Sequence, residues 1–135
     1  MNTTDRILGE AMTPRQKRIY KDPRLAVFWA IKHGQRFPEA EPYILKATDP
    51  GYAYGYAKEV LKGRWPEAER PEAEAAIATS SWWGYRYARD VLKGRFPEGE
   101  PAIATEPRLA KYYLKQFPEA RLEWAMNGWL DWLDL

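Results

Sequence analysis

Apolar positions recur along this chain with the period of a helix, and the same arc is written several times. Between residues 49 and 62 they fall at Tyr52, Ala53, Tyr56, Ala57, Val60 and Leu61. The spacing i, i+1, i+4, i+5, i+8, i+9 lays them over roughly half the circumference of one helix. Trp83, Tyr87, Ala88, Val91 and Leu92 repeat the arc, as do Leu25, Ala26, Trp29 and Ala30 earlier and Leu109, Ala110, Tyr113 and Leu114 later. Shorter apolar pairs follow each arc: Phe37 with Ile44, Trp65 with Ile77, Phe96 with Ile103 and Phe117 with Trp124. These residues are the predicted core, with alanines at the positions where helices approach closely.

Start and stop signals punctuate the arcs. Asp22-Pro23, Asp49-Pro50, Ser80-Ser81 and Glu106-Pro107 read as helix starts, with Asp or Ser as the capping side chain and proline in the first turn. Gly34, Gly63 and Gly94 read as C-terminal stops. The proline of each Phe-Pro-Glu or Trp-Pro-Glu opens a second, short helix, with Glu at the positive end of its dipole. Before the repeats, Thr3 or Thr4 can cap a helix carrying Ile7, Leu8 and Met12, and Thr13-Pro14 starts another.

The punctuation belongs to a repeated phrase. Residues 56–67, Tyr-Ala-Lys-Glu-Val-Leu-Lys-Gly-Arg-Trp-Pro-Glu, return at 87–98 as Tyr-Ala-Arg-Asp-Val-Leu-Lys-Gly-Arg-Phe-Pro-Glu, with echoes at 35–39 and 116–119. Repetition at this period implies stacked supersecondary units sharing one core. The predicted fold is all-α: a short α-solenoid of about four helix-turn-helix repeats. An N-terminal helical cap (residues 1–21) precedes the repeats (22–48, 49–79, 80–105 and 106–135), and an amphipathic C-terminal helix closes them. Repeat 1 is one residue short. Repeat 2 carries an apparent five-residue duplication within residues 66–74, expected to add a turn or bulged loop. Repeat 4 is degenerate, with a first helix near residues 108–115 and a second over 120–133.

Composition narrows the function classes. Cysteine is absent and His33 is the single histidine, so neither a disulfide framework nor a transition-metal site is expected. No long apolar run and no leader pattern appear, which implies a cytoplasmic protein that does not enter a membrane. The 21 basic and 19 acidic residues nearly balance, against the strong positive field expected of a nucleic-acid binder. Seven Trp and nine Tyr stand out, and both residues fill helical cores and dominate protein interfaces.

Catalysis is the weakest reading. His33 sits where a cationic side chain favours a helix C-terminus. Ser80-Ser81 lack a nearby base and read as a cap. Glu67, Glu69, Glu98 and Glu100 read as first-turn dipole partners and as ion-pair partners of Arg64 and Arg95. No cofactor is expected.

Lys58, Lys62 and Arg64 match Arg89, Lys93 and Arg95, so the basic residues should form rows, with Tyr54 and Tyr85 at the edge of the apolar arc. Such rows could track phosphates. However, acids repeat with the same period, and pairing on a solvated surface is the plainer account. On the closing helix, Leu122, Ala125, Met126, Trp129, Leu130, Trp132 and Leu133 share a face, while Trp124 takes the place of Ile44, Ile77 and Ile103. That face either covers the last repeat or binds a partner or a second copy, forming a homodimer.

The phrase resembles a helical repeat found in tandem in bacteriophage and bacterial proteins, approximately D-P-x-x-A-x-x-Y-A-x-x-V-L-K-G-R-[FW]-P-E-x-E-P-x-I, over residues 22–121. The resemblance implies a phage or prophage source and a role in binding and blocking a host protein, defence machinery included. The expectation is therefore a non-enzymatic protein-binding module acting by steric occlusion. Its expected contact residues are Phe28, Tyr54, Tyr85, Tyr112, Lys58, Arg89, Trp129 and Trp132. The alternatives are a nucleic-acid-binding accessory protein and a structural homo-oligomer.

Overall fold

A computed structural model describes residues 11–134, with side chains through Trp132. Among these residues every regular element is helical and none is a strand. The helix expected from Thr3 or Thr4 falls on residues 1–10, outside the described residues. The chain divides into two compact units, one up to Trp65 and one from Pro66 onward.

In the first unit, α1 (Pro14–Ile19) starts at Thr13. The Thr13 hydroxyl accepts from the Gln16 backbone, and the Gln16 side chain accepts from Thr13 in return. Asp22 caps α2 (Pro23–His33) by accepting from Arg24 and Leu25. After α3 (Glu41–Lys46) comes α4 (Gly51–Tyr56), which continues as a π-helical turn over Ala57–Leu61. Helix α2 packs against the other three, and Ala26, Ala30, Phe37, Ile44, Ala53 and Tyr56 are buried.

In the second unit, α5 (Ala73–Ala78) precedes α6 (Ser81–Arg86), which Ser80 caps and which continues as a π-helical turn over Tyr87–Leu92. Then follow α7 (Glu100–Ala104), α8 (Pro107–Gln116) and α9 (Arg121–Met126). Helix α6 packs against α5, α7 and α8 around Ile77, Tyr87, Ile103, Tyr113 and Trp124. Trp124 holds the buried place expected of it. The predicted core is looser at its margin: Leu25 is exposed, and Tyr52, Val60, Leu61, Trp83, Val91 and Leu92 are only half-buried.

The π-helical turns have a sequence cause. Asp22 to Gly34 is twelve steps along the chain, whereas Asp49 to Lys62 and Ser80 to Lys93 are thirteen. All three stretches end on the same alanine carbonyl. Gln35 N–H reaches Ala30, while Gly63 N–H reaches Ala57 and Gly94 N–H reaches Ala88, each at 3.2 Å. The later repeats close the same turn with one more residue, and a widened turn absorbs it.

This register corrects the expected stop signals. The left-handed residue is Gly34 in repeat 1, but it is Lys62 (φ 55°) and Lys93 (φ 53°) in repeats 2 and 3, one position before Gly63 and Gly94. A side chain there costs about 1–2 kcal/mol, only partly matched by glycine's extra chain entropy. Lys93→Gly is therefore expected to stabilise the chain by about 0.5 kcal/mol or more, read as a higher urea midpoint. Destabilisation would show that the lysine side chain contributes more than its strain.

The duplication in repeat 2 is an added turn: Glu69 and Arg70 N–H both bond to the Pro66 carbonyl, and Ala73 N–H bonds to Arg70. Repeat 4 departs from expectation at its end. Its first helix, α8, runs as predicted, but the second stops at Met126. Gly128 (φ 76°) turns the chain, and a 3-10 turn follows over Asp131–Asp134. The expected apolar face of the closing helix is thereby split. Leu122 and Met126 stand exposed, Leu130 is buried, and Trp129 and Trp132 are half-buried.

Candidate protein-binding face

Two glutamates that follow the Phe-Pro-Glu triplets, Glu41 and Glu100, are core groups rather than surface ones. Arg36 donates two hydrogen bonds to Glu41, at 2.9 and 2.8 Å, and Arg95 makes the same fork to Glu100 at 2.8 and 2.7 Å. Both carboxylates are buried. A tyrosine from the next long helix completes each pair. The Tyr56 hydroxyl donates to Glu41 and accepts from the Phe37 N–H, and Tyr113 does the same with Glu100 and the Phe96 N–H. In repeat 2 the Tyr87 hydroxyl donates to Glu74 at 2.7 Å, so the second copy of the duplicated Pro-Glu-Ala-Glu fills the glutamate place. Trp124 Nε1 adds a bond to Glu100 at 2.9 Å, and Glu123 a second carboxylate to Arg95.

These networks set the charge states. Burial pushes the Glu100 carboxyl up, but the bonds from Arg95, Tyr113 and Trp124 outweigh it and hold it below its ordinary value. Burial first, and the facing carboxylate second, push the Tyr56 and Tyr113 phenols far above theirs. An acid and a phenol so placed are held in one protonation state across neutral pH, which suits a structural joint.

The outer side of α6 has a different character. Trp82, Tyr85, Arg86 and Arg89 fall at i, i+3, i+4 and i+7 and so share one side. The Arg86 guanidinium lies 5.5 Å from the Trp82 ring centre and 5.4 Å from that of Trp83. Arg89 lies 5.3 Å from the Tyr85 ring and grips Asp90 with two bonds, at 2.7 and 3.0 Å. Its hydrogen bond to Asp90 holds its charge firmly in place. From α8, Tyr112 approaches Tyr85 with ring centres 6.4 Å apart. Trp82 and Tyr112 are each 50% exposed. The result is a face of aromatic surface with two guanidinium groups already stacked on it.

Three of the expected contact residues therefore meet here: Tyr85, Arg89 and Tyr112. Tyr85 itself is buried, which corrects its expected place outside the core; it forms the floor under Arg89 and Tyr112. Tyr54 is buried too and lies inside the first unit's core, with Lys58 exposed one turn on. Gly51 and Gly55 stand where repeat 3 has Trp82 and Arg86, so the first unit has no such stripe. Phe28 is 64% exposed on α2 of the first unit. Trp129 turns its edge to buried Trp124, 5.8 Å between centres, and Trp132 lies under the Lys111 ammonium at 5.9 Å.

Sequence reasoning missed Trp82 and Arg86. The signal was present, since adjacent Trp82 and Trp83 cannot both point inward from one helix and the outward one stands four residues before an arginine. His33 closes α2 as expected, its Nδ1 2.8 Å from the Trp29 carbonyl and its ring stacked on Trp29. Among the described residues no three His, Cys, Asp or Glu side chains gather to hold a metal ion, and no helix is long and apolar enough to cross a membrane.

No protein-family model, curated protein or solved structure matches the chain.

Proposed function

We propose that this chain is a non-enzymatic protein-binding module, a short solenoid of helical hairpins whose contact surface is the α6–α8 face. The observation that carries the reading is Arg86 stacked on Trp82 and Trp83, and Arg89 on Tyr85, which Tyr112 approaches. Trp, Tyr and Arg are the residues that dominate interface energetics. A guanidinium already seated on rings loses little further freedom on binding. The Arg95–Glu100–Tyr113 joint, in the same unit, favours a rigid support for that face. Inhibition of a host protein by occlusion is the specific role implied by the resemblance to phage repeat proteins.

Paired charges favour this reading over nucleic-acid binding, since Arg89 and Arg95, two members of the basic rows, are already bonded to Asp90 and Glu100. The test is a pull-down from nuclease-treated source lysate with the parent chain and with a Trp82→Ala/Tyr112→Ala variant. The expected result is one protein retained at defined stoichiometry by the parent and lost by the variant. Recovery that vanishes with nuclease would transfer the function to nucleic acid. A second copy closing through α9 is the second reading, favoured by exposed Leu122 and Met126. Light scattering at two concentrations decides it, and a strict monomer excludes it.

A further inference from the structure

Helix α2 presents apolar residues in two directions. Ala26, Trp29 and Ala30 face the core of the first unit, while Leu25, Phe28 and Ile31 are exposed. The repeat does not require the outward set. At the register of Phe28 the later repeats carry Gly55, Arg86 and Tyr112, and at that of Ile31 they carry Lys58, Arg89 and Lys115. Repeat 4 also exposes a ring at this position, Tyr112, but only repeat 1 flanks it with exposed aliphatic residues, and such a strip marks a contact surface rather than a shared packing need.

Beside the strip opens a cleft of about 440 Å³ between α1 and α2. Its apolar lining includes Leu25, Phe28 and Trp29, and its charged or basic lining is Arg15, Lys32 and His33. Among the described residues no carboxylate lines it, in a chain whose charges otherwise nearly balance. The His33 ring is fixed by its stack on Trp29, 4.2 Å between centres, so the cleft wall is already ordered.

We infer that this cleft seats an acidic peptide segment of a partner protein, with a bulky apolar side chain over Phe28 and carboxylates on Arg15 and Lys32. The apolar strip asks for an apolar anchor, and the rim asks for negative charge. Leu25 and Ile31 are aliphatic and extend the strip along the helix, which suits a peptide side-chain row better than the stacked bases of a nucleic acid.

The test is fluorescence anisotropy with the full chain and a labelled peptide, Glu-Asp-Phe-Glu-Asp-Leu-Leu-Glu, beside its amide counterpart with Gln and Asn replacing the acids. Saturable binding is expected, weaker by about tenfold for the amide peptide and by about tenfold for Phe28→Ala. Arg15→Glu/Lys32→Glu should remove most of the remaining affinity, and salt should weaken the parent complex. All three substituted side chains are exposed, so unchanged far-UV circular dichroism is the fold check. The proposal is overturned by no saturable binding, by binding indifferent to Phe28→Ala and to the charge reversal, or by a labelled oligothymidine bound more tightly than the acidic peptide. A dimer of the parent chain that Phe28→Ala dissociates would assign the strip to a second copy and overturn it equally.

Discussion

Glu100→Ala is expected to destabilise the chain by about 3–5 kcal/mol, because it breaks a buried ion pair at its most heavily bonded member. Glu100 accepts four hydrogen bonds, two from Arg95 and one each from Tyr113 and Trp124. Alanine leaves the phenol and the indole N–H buried without an acceptor, and each such orphan costs about 1–3 kcal/mol. Arg95 keeps Glu123 and is already part-exposed, so its own loss is smaller. Glu100→Gln retains one acceptor oxygen and should cost less than half as much. Urea denaturation measures both. A loss under about 1 kcal/mol for the alanine variant would show that the joint can lose its acceptor without leaving an orphan.

The same joint makes stability depend on pH with a definite sign. Glu100 is held below its ordinary value in the folded chain, so on acidification the unfolded chain takes up this proton first, near pH ~4.3. The contribution is present above that pH and is lost as the pH falls toward the native value. At the other end, the Tyr56 and Tyr113 phenols are held up. The unfolded chain then releases their protons first, and stability falls as the pH rises past ~10. Glu100→Gln should flatten the acid arm. An acid arm of unchanged steepness would place the titrating group elsewhere.

Trp65→Ala carries the second large effect, about 3–5 kcal/mol. The side chain is 1% exposed, stacks on Tyr56 with ring centres 4.9 Å apart, and donates Nε1 to the Ala53 carbonyl at 3.0 Å. Truncation leaves a large cavity, strips the ring that flanks the Tyr56 phenol, and removes a partner from a buried carbonyl. The repeat supplies its own control, since Phe37, Phe96 and Phe117 hold the same register position and all are buried. Trp65→Phe is therefore expected to cost only about 1–2 kcal/mol, from the smaller ring and the lost indole bond. Equal losses for alanine and phenylalanine would show that the hydrogen bond, rather than the packed ring, carries the effect.

Much of this architecture was legible along the chain because it is local. Helix starts at Thr13, Asp22 and Ser80 depend on side chains bonding to backbone two or three residues away, and each capped as expected. The period of the apolar arcs placed Ala26, Ala53, Ala57, Tyr56, Ala88 and Tyr113 in the core, where they are buried. The single-residue deficit of repeat 1 was visible as well, although its consequence, π-helical turns in repeats 2 and 3, needed the carbonyl of Ala57 or Ala88 as a fixed end point.

Tertiary structure decided what depends on residues distant in sequence. Glu41 and Glu100 look like surface acids in a Pro-Glu-x-Glu turn, and they are buried because Tyr56 and Tyr113 bring hydroxyls from helices thirteen or more residues away. Tyr54 and Tyr85 look like the margin of an amphipathic arc and are covered by neighbouring packing. The left-handed lysines displaced the glycine stops because an inserted residue shifted the helix end by one position. The face of α6 became visible only when Arg86 was seen to lie on two indoles at once, since helical period sets the direction of a side chain and only the folded chain sets what it meets.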